Sequence, residues 1–300
     1  MSSHYNKDIH GWIILDKPQG FSSNYFLRKI QYELQAKKAG HIGTLDPFAT
    51  GVLPLAFGEA TKLIPYLEGN EKTYEFNLEF GSSTTTGDIE GEILETSPKI
   101  PLKKDLIEII PNFIGEISQT PPKYSAIHIN GKRAYDLARN GQDFEIPKRT
   151  VTIKNLELKD YNKQTKTASF IVTCSKGTYV RTLGEDIAKS LGTFGHLTSL
   201  RRTKSSFFKL SDTILLEKLK NILYTTPAKD VVLPVETFLC DITVIALTDS
   251  EASKLKRGQA IENKHNLMSK SICAGLFNNK LIALVEVRDS FLSPIRVFNH

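Results

Sequence analysis

Apolar residues along the chain fall into short, phased groups separated by polar turns. Trp12-Ile13-Ile14-Leu15 is a continuous apolar run that reads as a buried strand, ended by the turn residues Asp16-Lys17-Pro18-Gln19-Gly20. After Ser22 and Ser23, either of which can cap a helix, Phe26, Ile30 and Leu34 recur every four residues, and Leu27 broadens that face. Over residues 73–80 the period drops to two, so Tyr74, Phe76, Leu78 and Phe80 share one face of a strand. The same reading predicts a helix over 103–113 and strands over 124–129, 151–158 and 168–174. Ser175-Lys176-Gly177 then turns the chain into a helix whose apolar stripe is Leu183, Ile187 and Leu191.

Strands and helices are mixed without a regular βαβ rhythm, which predicts an α+β fold. Thr225-Thr226-Pro227 and Pro234 break the pattern over 224–236, so a linker is expected there. It would separate a large domain, 1–225, from a small one, 237–300. The small domain shows a helix near 250–256 and strand-like runs at 271–277, 281–287 and 295–298, so it is expected to be β-rich.

Composition narrows the function classes. With 300 residues, 40% hydrophobic and 24% charged, the chain suits ordinary globular folding rather than disorder. No apolar run approaches the ~20 residues that span a bilayer, and the polar stretch 1–10 carries no secretory signal pattern. A cytoplasmic protein with no membrane partner is the expectation. Cys174, Cys240 and Cys273 are scattered and the seven histidines lack ligand spacing, so free thiols and no metal are expected. The net charge of +6 favours a polyanionic partner. Among several basic pairs, Lys37-Lys38 and Arg201-Arg202-Thr203-Lys204 are the better candidates for phosphate contact. Residues 81–91 are rich in glycine and hydroxyls but lack the glycine-lysine-serine/threonine ending of a phosphate loop.

The most informative stretch is Gly40-His41-Ile42-Gly43-Thr44-Leu45-Asp46-Pro47. Pro47 disfavours a helical Asp46, which places the acid on a shaped loop as a nucleophile, a general base or a turn residue. Residues 40–62 as a whole resemble the central motif of the TruB family, the synthases that make pseudouridine in the T-loop of transfer RNA. Lys72-Thr73-Tyr74, the stretch 119–126 with Gly131-Lys132-Arg133, and the stretch 174–182 also resemble that family, in the expected order. The likeness covers roughly 11–210. Ile42 and Thr44 depart from it, at positions where threonine and alanine are common, without removing a charged group.

The resemblance implies that Asp46 is the catalytic aspartate and that Arg181 pairs with it. An ionised carboxylate in a water-poor pocket needs such a cation. By the same likeness Tyr74 stacks on the target base and takes part in proton transfer at C5. Tyr179 and Leu200 line the uridine pocket, and His41 occupies space around the flipped nucleotide. Asp88 matches an acidic position of structural use. The implied fold is a pseudouridine synthase domain with a mixed, mainly antiparallel sheet, followed by a PUA-like RNA-binding domain. The implied reaction is isomerisation of uridine-55 in the T-stem-loop of transfer RNA by base flipping, with no cofactor and no required protein partner. Two other classes are weaker. An RNA chaperone could use the same surface without catalysis. A glycoside hydrolase would want a second acid beside Asp46, and the nearest downstream is Glu59.

Overall fold

The apolar run at the start of the chain lies in β1 (Gly11–Lys17), and its lack of alternation has a direct cause. Ile13 and Leu15 pack into one hydrophobic cluster, while Trp12 and Ile14 pack into another on the opposite face. A strand buried on both faces needs apolar residues at every position. These features come from a computed structural model describing residues 7–67, 69, 71–125, 127–129, 131–139, 142, 144–240, 242–264 and 267–299.

After β1 the chain runs through α1 (Ser23–Leu34), β2 (Ala39–His41), β3 (Thr50–Phe57) and β4 (Glu71–Phe80). It continues through α2 (Lys103–Ile109), β5 (Gly115–Gln119), β6 (Arg149–Asn162) and β7 (Thr167–Ser175). The domain is completed by α3 (Val180–Ser190), β8 (Gly195–Ser205), β9 (Ile214–Leu215) and α4 (Leu216–Thr225). The main sheet has the order β9-β1-β3-β8-β4-β7-β6-β5, with β2 beside β3. β1–β9 and β3–β8 pair in parallel and the other neighbours are antiparallel, so the sheet is mixed and mainly antiparallel, as expected.

Ser22, not Ser23, caps α1: its Oγ accepts from the Tyr25 amide at 3.2 Å. The stripe Phe26, Ile30 and Leu34 packs with Leu183 and Ile187 of α3 against Tyr74, Phe76, Leu78 and Phe80 on β4. The other face of the sheet carries Trp12, Ile14, Val52 and Ala56, which meet Phe238, Leu284 and Phe298 from the C-terminal part.

The C-terminal part forms a second sheet of five strands. It comprises β10 (Thr243–Ala246), α5 (Asp249–Lys256), β11 (Ile261–Glu262), β12 (Ile272–Phe277), β13 (Lys280–Arg288) and β14 (Phe291–Val297). Its strand order is β10-β12-β13-β14-β11, around a core that includes Ile245, Leu255, Val285 and Leu292. The expected small β-rich domain is therefore present. A capping box starts α5: Thr248 Oγ1 accepts from the Glu251 amide and the Glu251 carboxylate accepts from the Thr248 amide.

Three expectations need correction. The helix expected over 103–113 ends at Ile109 and tightens into a 3-10 turn, Ile110–Phe113, because Pro111 has no amide hydrogen to continue it. Of the strand expected over 124–129, only His128–Ile129 forms, pairing with Lys132–Arg133; Ala126 lies outside the described residues. Here the chain bonds to itself, with the Tyr135 amide donating to the Ser125 carbonyl and the Ala134 amide to that of Ile127. The expected linker over 224–236 is packed down: Leu233 exchanges two backbone hydrogen bonds of 2.8 Å with Trp12, whose indole donates to the Val235 carbonyl. Val235 is buried, so apolar contact overrides the proline punctuation.

Candidate active site

The loop between β2 and β3 carries Asp46, and three attachments shape it. Ser23 Oγ donates to the Leu45 carbonyl at 2.9 Å and accepts from the Leu45 amide at 2.8 Å. The Gly20 amide donates to the Pro47 carbonyl at 3.0 Å. Lys17, fully buried at the end of β1, donates from Nζ to the carbonyls of Pro47 at 3.1 Å and Ala49 at 2.6 Å. The turn after the first apolar strand thus fixes the backbone on both sides of Asp46.

Arg181 enters from the first turn of α3. Its Nε donates to Asp46 Oδ2 at 2.9 Å, Nη1 to the Thr86 carbonyl at 2.8 Å and Nη2 to the Tyr124 carbonyl at 3.0 Å. Asp88 Oδ2 stands 3.5 Å from Nη1, while Oδ1 accepts from Thr86 Oγ1 and the Glu90 amide. The glycine- and hydroxyl-rich stretch 81–91 therefore wraps a buried carboxylate behind Arg181. A cation in the first turn of a helix is disfavoured by the macrodipole, and these two carboxylates offset that. The Arg181 side chain is 5% exposed against 35% for Asp46, so the acid faces the open side and the arginine backs it.

Burial pushes the Asp46 carboxyl above the usual carboxylate range and the nearby Asp88 charge adds to the push, while Arg181 and Lys17 draw it back. Burial likewise raises the Tyr74 phenol, against the opposing charge of Arg202.

Asp46, Tyr74, Tyr179, Arg181 and Leu200 line one cavity of about 320 Å³. Five of the six site residues expected from sequence thus come together from a loop, two strands and the start of a helix. Tyr179 is held by the buried Gln119 side-chain amide, which donates to its carbonyl at 3.3 Å and accepts from its amide at 3.1 Å. His41 is not in the cavity wall. It is half-buried on β2, opposite Leu55 of β3.

The wall also contains residues the sequence reading did not single out as site residues: Lys72, Ser125, Arg149 and Arg202. The Arg149 guanidinium lies over the Tyr179 ring, 4.5 Å from its centroid. Arg202, expected among the phosphate contacts, is fully buried, and a period of two with Leu200 puts it on the cavity face. Its neighbour Arg201 points away and pairs with both carboxylate oxygens of Asp16, at 3.0 and 2.7 Å. Among the described lining residues Asp46 is the one carboxylate, facing Lys72, Arg149, Arg181 and Arg202. Such a wall suits an anionic ligand held beside a carboxylate. Glu59 does not line it and is bonded to Lys62 Nζ at 2.6 Å and to the Asn299 amide at 2.8 Å, so it does not stand beside Asp46 as a second acid. No cluster of His, Cys, Asp and Glu with metal-binding potential occurs among the described residues.

Comparison with known proteins places this geometry in a family. Residues 31–180 match the model of the TruB family pseudouridylate synthase N-terminal domain, and 181–240 match the tRNA pseudouridylate synthase B C-terminal domain. The tRNA pseudouridine synthase B of Caulobacter vibrioides is 42% identical over 299 residues, covering 97% of this chain and 96% of that protein. That of Ehrlichia ruminantium is 40% identical over 295 residues, covering 97% and 100%. Among solved structures, a chain of a Cbf5-Nop10-Gar1 complex superposes with a TM-score of 0.72 at 25% identity, covering 96% of this chain and 84% of that one. A chain of an H/ACA RNP bound to a substrate RNA containing 2'-deoxyuridine gives 0.73 at 22% identity, covering 99% and 86%, a likeness of fold. The family model over 31–180 and 40–42% identity along nearly the whole length of these relatives mean that the chain belongs to the TruB family of pseudouridine synthases.

Proposed function

We propose that the chain isomerises a uridine of transfer RNA to pseudouridine, at position 55 of the T-loop. The observation that carries this reading is Asp46, held by Arg181 at 2.9 Å in a cavity whose other charged walls are cationic. The names of the curated relatives support transfer RNA as the substrate.

The reaction breaks the bond from ribose C1′ to N1, turns the base and joins C1′ to C5. No electron and no external group is transferred, so the chain's own side chains suffice. The target uridine leaves its stack to reach the enclosed aspartate, which an RNA loop makes cheap. Ionised Asp46 then attacks the ribose or base, or removes a ribose proton. Tyr74 packs against the base and handles the proton lost from C5, while Tyr179 and Leu200 wall the pocket. His41, outside the cavity, contacts RNA beyond the target base. The second domain, 237–300, extends the RNA-binding surface. No helix among the described residues is long and apolar enough to cross a membrane, and we place the enzyme in the cytoplasm with its RNA.

The test is a pseudouridine-specific readout on unmodified T-stem-loop RNA, without added metal or nucleotide. Wild type should form product, and Asp46→Asn should bind the RNA with similar affinity and form none. Tight binding without product from wild type would refute the synthase reading and favour an RNA chaperone.

A further inference from the structure

Arg202 is completely buried, yet its guanidinium is not fully paired. Nε donates to the Val52 carbonyl at 2.8 Å and Nη2 to the Gly43 carbonyl at 2.8 Å, whereas Nη1 has no hydrogen-bond partner among the described residues. A charged donor left unmet inside a protein is destabilising, so its presence needs a reason.

The sheet register supplies one. Arg202 lies directly opposite Tyr74 across the β8–β4 ladder, and Leu200 lies opposite Phe76. Directly opposed residues of an antiparallel pair project to the same face, so Arg202 and Tyr74 enter the cavity side by side. Gly51 makes the arrangement possible from the other edge of β8. Its φ is +103°, and a Cβ there would stand 2.2 Å from the Arg202 carbonyl oxygen. The guanidinium is clamped between the β3 backbone and the Asp46 loop, and Arg202 lines the cavity. Its charge acts on the Tyr74 oxygen, opposing the effect of burial there.

Resting on the synthase reading above, we propose that Arg202 is a positioning residue for Tyr74. It fixes the phenol over the base and stabilises negative charge on Oη while the C5 proton is removed. In that step the C5–H bond breaks and its electron pair restores the C5–C6 double bond. The proton passes to the Tyr74 phenolate. The phenol's own proton has left to solvent, N1 takes one up from solvent, and the sum is one proton moved from C5 to N1.

A double-mutant cycle tests this. Single-turnover conversion of T-stem-loop RNA is measured for wild type, Arg202→Lys, Tyr74→Phe and the double variant, with RNA affinity and melting temperature recorded for each. The measurement is repeated on RNA deuterated at C5 of the target uridine. Arg202→Lys should slow conversion by roughly tenfold to a hundredfold. The slowing should vanish in the Tyr74→Phe background, and the deuterium isotope effect should exceed that of wild type. Equal slowing in both backgrounds with an unchanged isotope effect assigns Arg202 a structural role and overturns the proposal, although wild-type conversion would leave the synthase reading intact. No conversion by wild type overturns both. If Arg202→Lys does not fold, 3-fluorotyrosine at position 74 of the otherwise native chain replaces it. Its more acidic phenol should move the rising limb of the pH–rate profile to lower pH, and an unmoved limb overturns the proposal.

Discussion

Replacing Lys17 with methionine should separate the stability of the fold from the placement of its reactive loop. The Lys17 ammonium is fully buried and donates to the carbonyls of Pro18, Pro47 and Ala49. Burial draws its pKa down from 10.5 to about 8, with Asp46 and Glu90 opposing. In the unfolded chain the same group keeps its proton to about 10.4. Between pH 8 and 10.5 the unfolded state therefore binds more protons, and stability must rise with pH across that window. The penalty is fully present below pH 8 and is relieved as the pH climbs. The gap of about 2.5 units is worth about 3 kcal/mol at 1.36 kcal/mol per unit.

Lys17→Met lacks this titration. At neutral pH it escapes the cost of burying a charge but takes the Nζ donor from three carbonyls; that of Pro47 keeps the Gly20 amide, and losing the bond to Pro18 and Ala49 costs about 1–3 kcal/mol for each one left without a partner. The two effects overlap in size, so the variant should still fold, with its Asp46 loop held by Ser23 and Gly20 alone and its conversion rate reduced. Urea unfolding can be followed through Trp12, the single tryptophan, which is buried on the same strand. The stability of wild type minus that of the variant should grow by about 3 kcal/mol from pH 7 to pH 10.5, because other titrations cancel in the difference. A flat or falling difference would refute the buried-charge argument. A wild-type conversion rate in the variant would refute the pinning.

Two further outcomes follow from the ion pair. Because Asp46 must be ionised and its carboxyl lies above the usual range, single-turnover activity should fall with decreasing pH earlier than an ordinary carboxylate near 3.9 would require; an acid limb at or below that value would contradict the role given to burial. Arg181→Lys keeps the charge but cannot satisfy Asp46 and the carbonyls of Thr86 and Tyr124 together. It should cost about 2 kcal/mol in urea unfolding and at least tenfold in rate, and equal activity would show that the planar fork is dispensable.

Periodicity made most of the fold legible. The alternation from Tyr74 to Phe80 and the fourfold spacing of Phe26, Ile30 and Leu34 each record a real buried face. It failed where tertiary contact competes with local signals. Residues 224–236 look like a linker because of Pro227 and Pro234, yet Leu233 and Val235 are held by Trp12. Asp46, Arg181 and Tyr179 stood out through their motifs. Lys17 and Arg202 did not, because a charged side chain is by default solvent-facing and its burial depends on backbone carbonyls supplied from elsewhere in the chain. The strand face shared by Leu200 and Arg202 was the available clue, and it was masked by reading Arg201-Arg202 as one basic patch.

The parallel pairing of β3 with β8 joins Thr50 to Arg201 across 151 residues of chain. During synthesis at ~5–20 residues per second, roughly 8–30 seconds separate these two strands. Throughout that interval β3 has an open edge where β8 will sit, and Asp46 already exists without either of the arginines that flank its loop. β1 docks on the opposite edge of β3 and β2 covers only Leu55–Phe57, so the rest of this edge is open to pairing with other chains until β8 arrives. Asp46 is translated near the beginning, but the cavity around it is complete only after β8 has emerged.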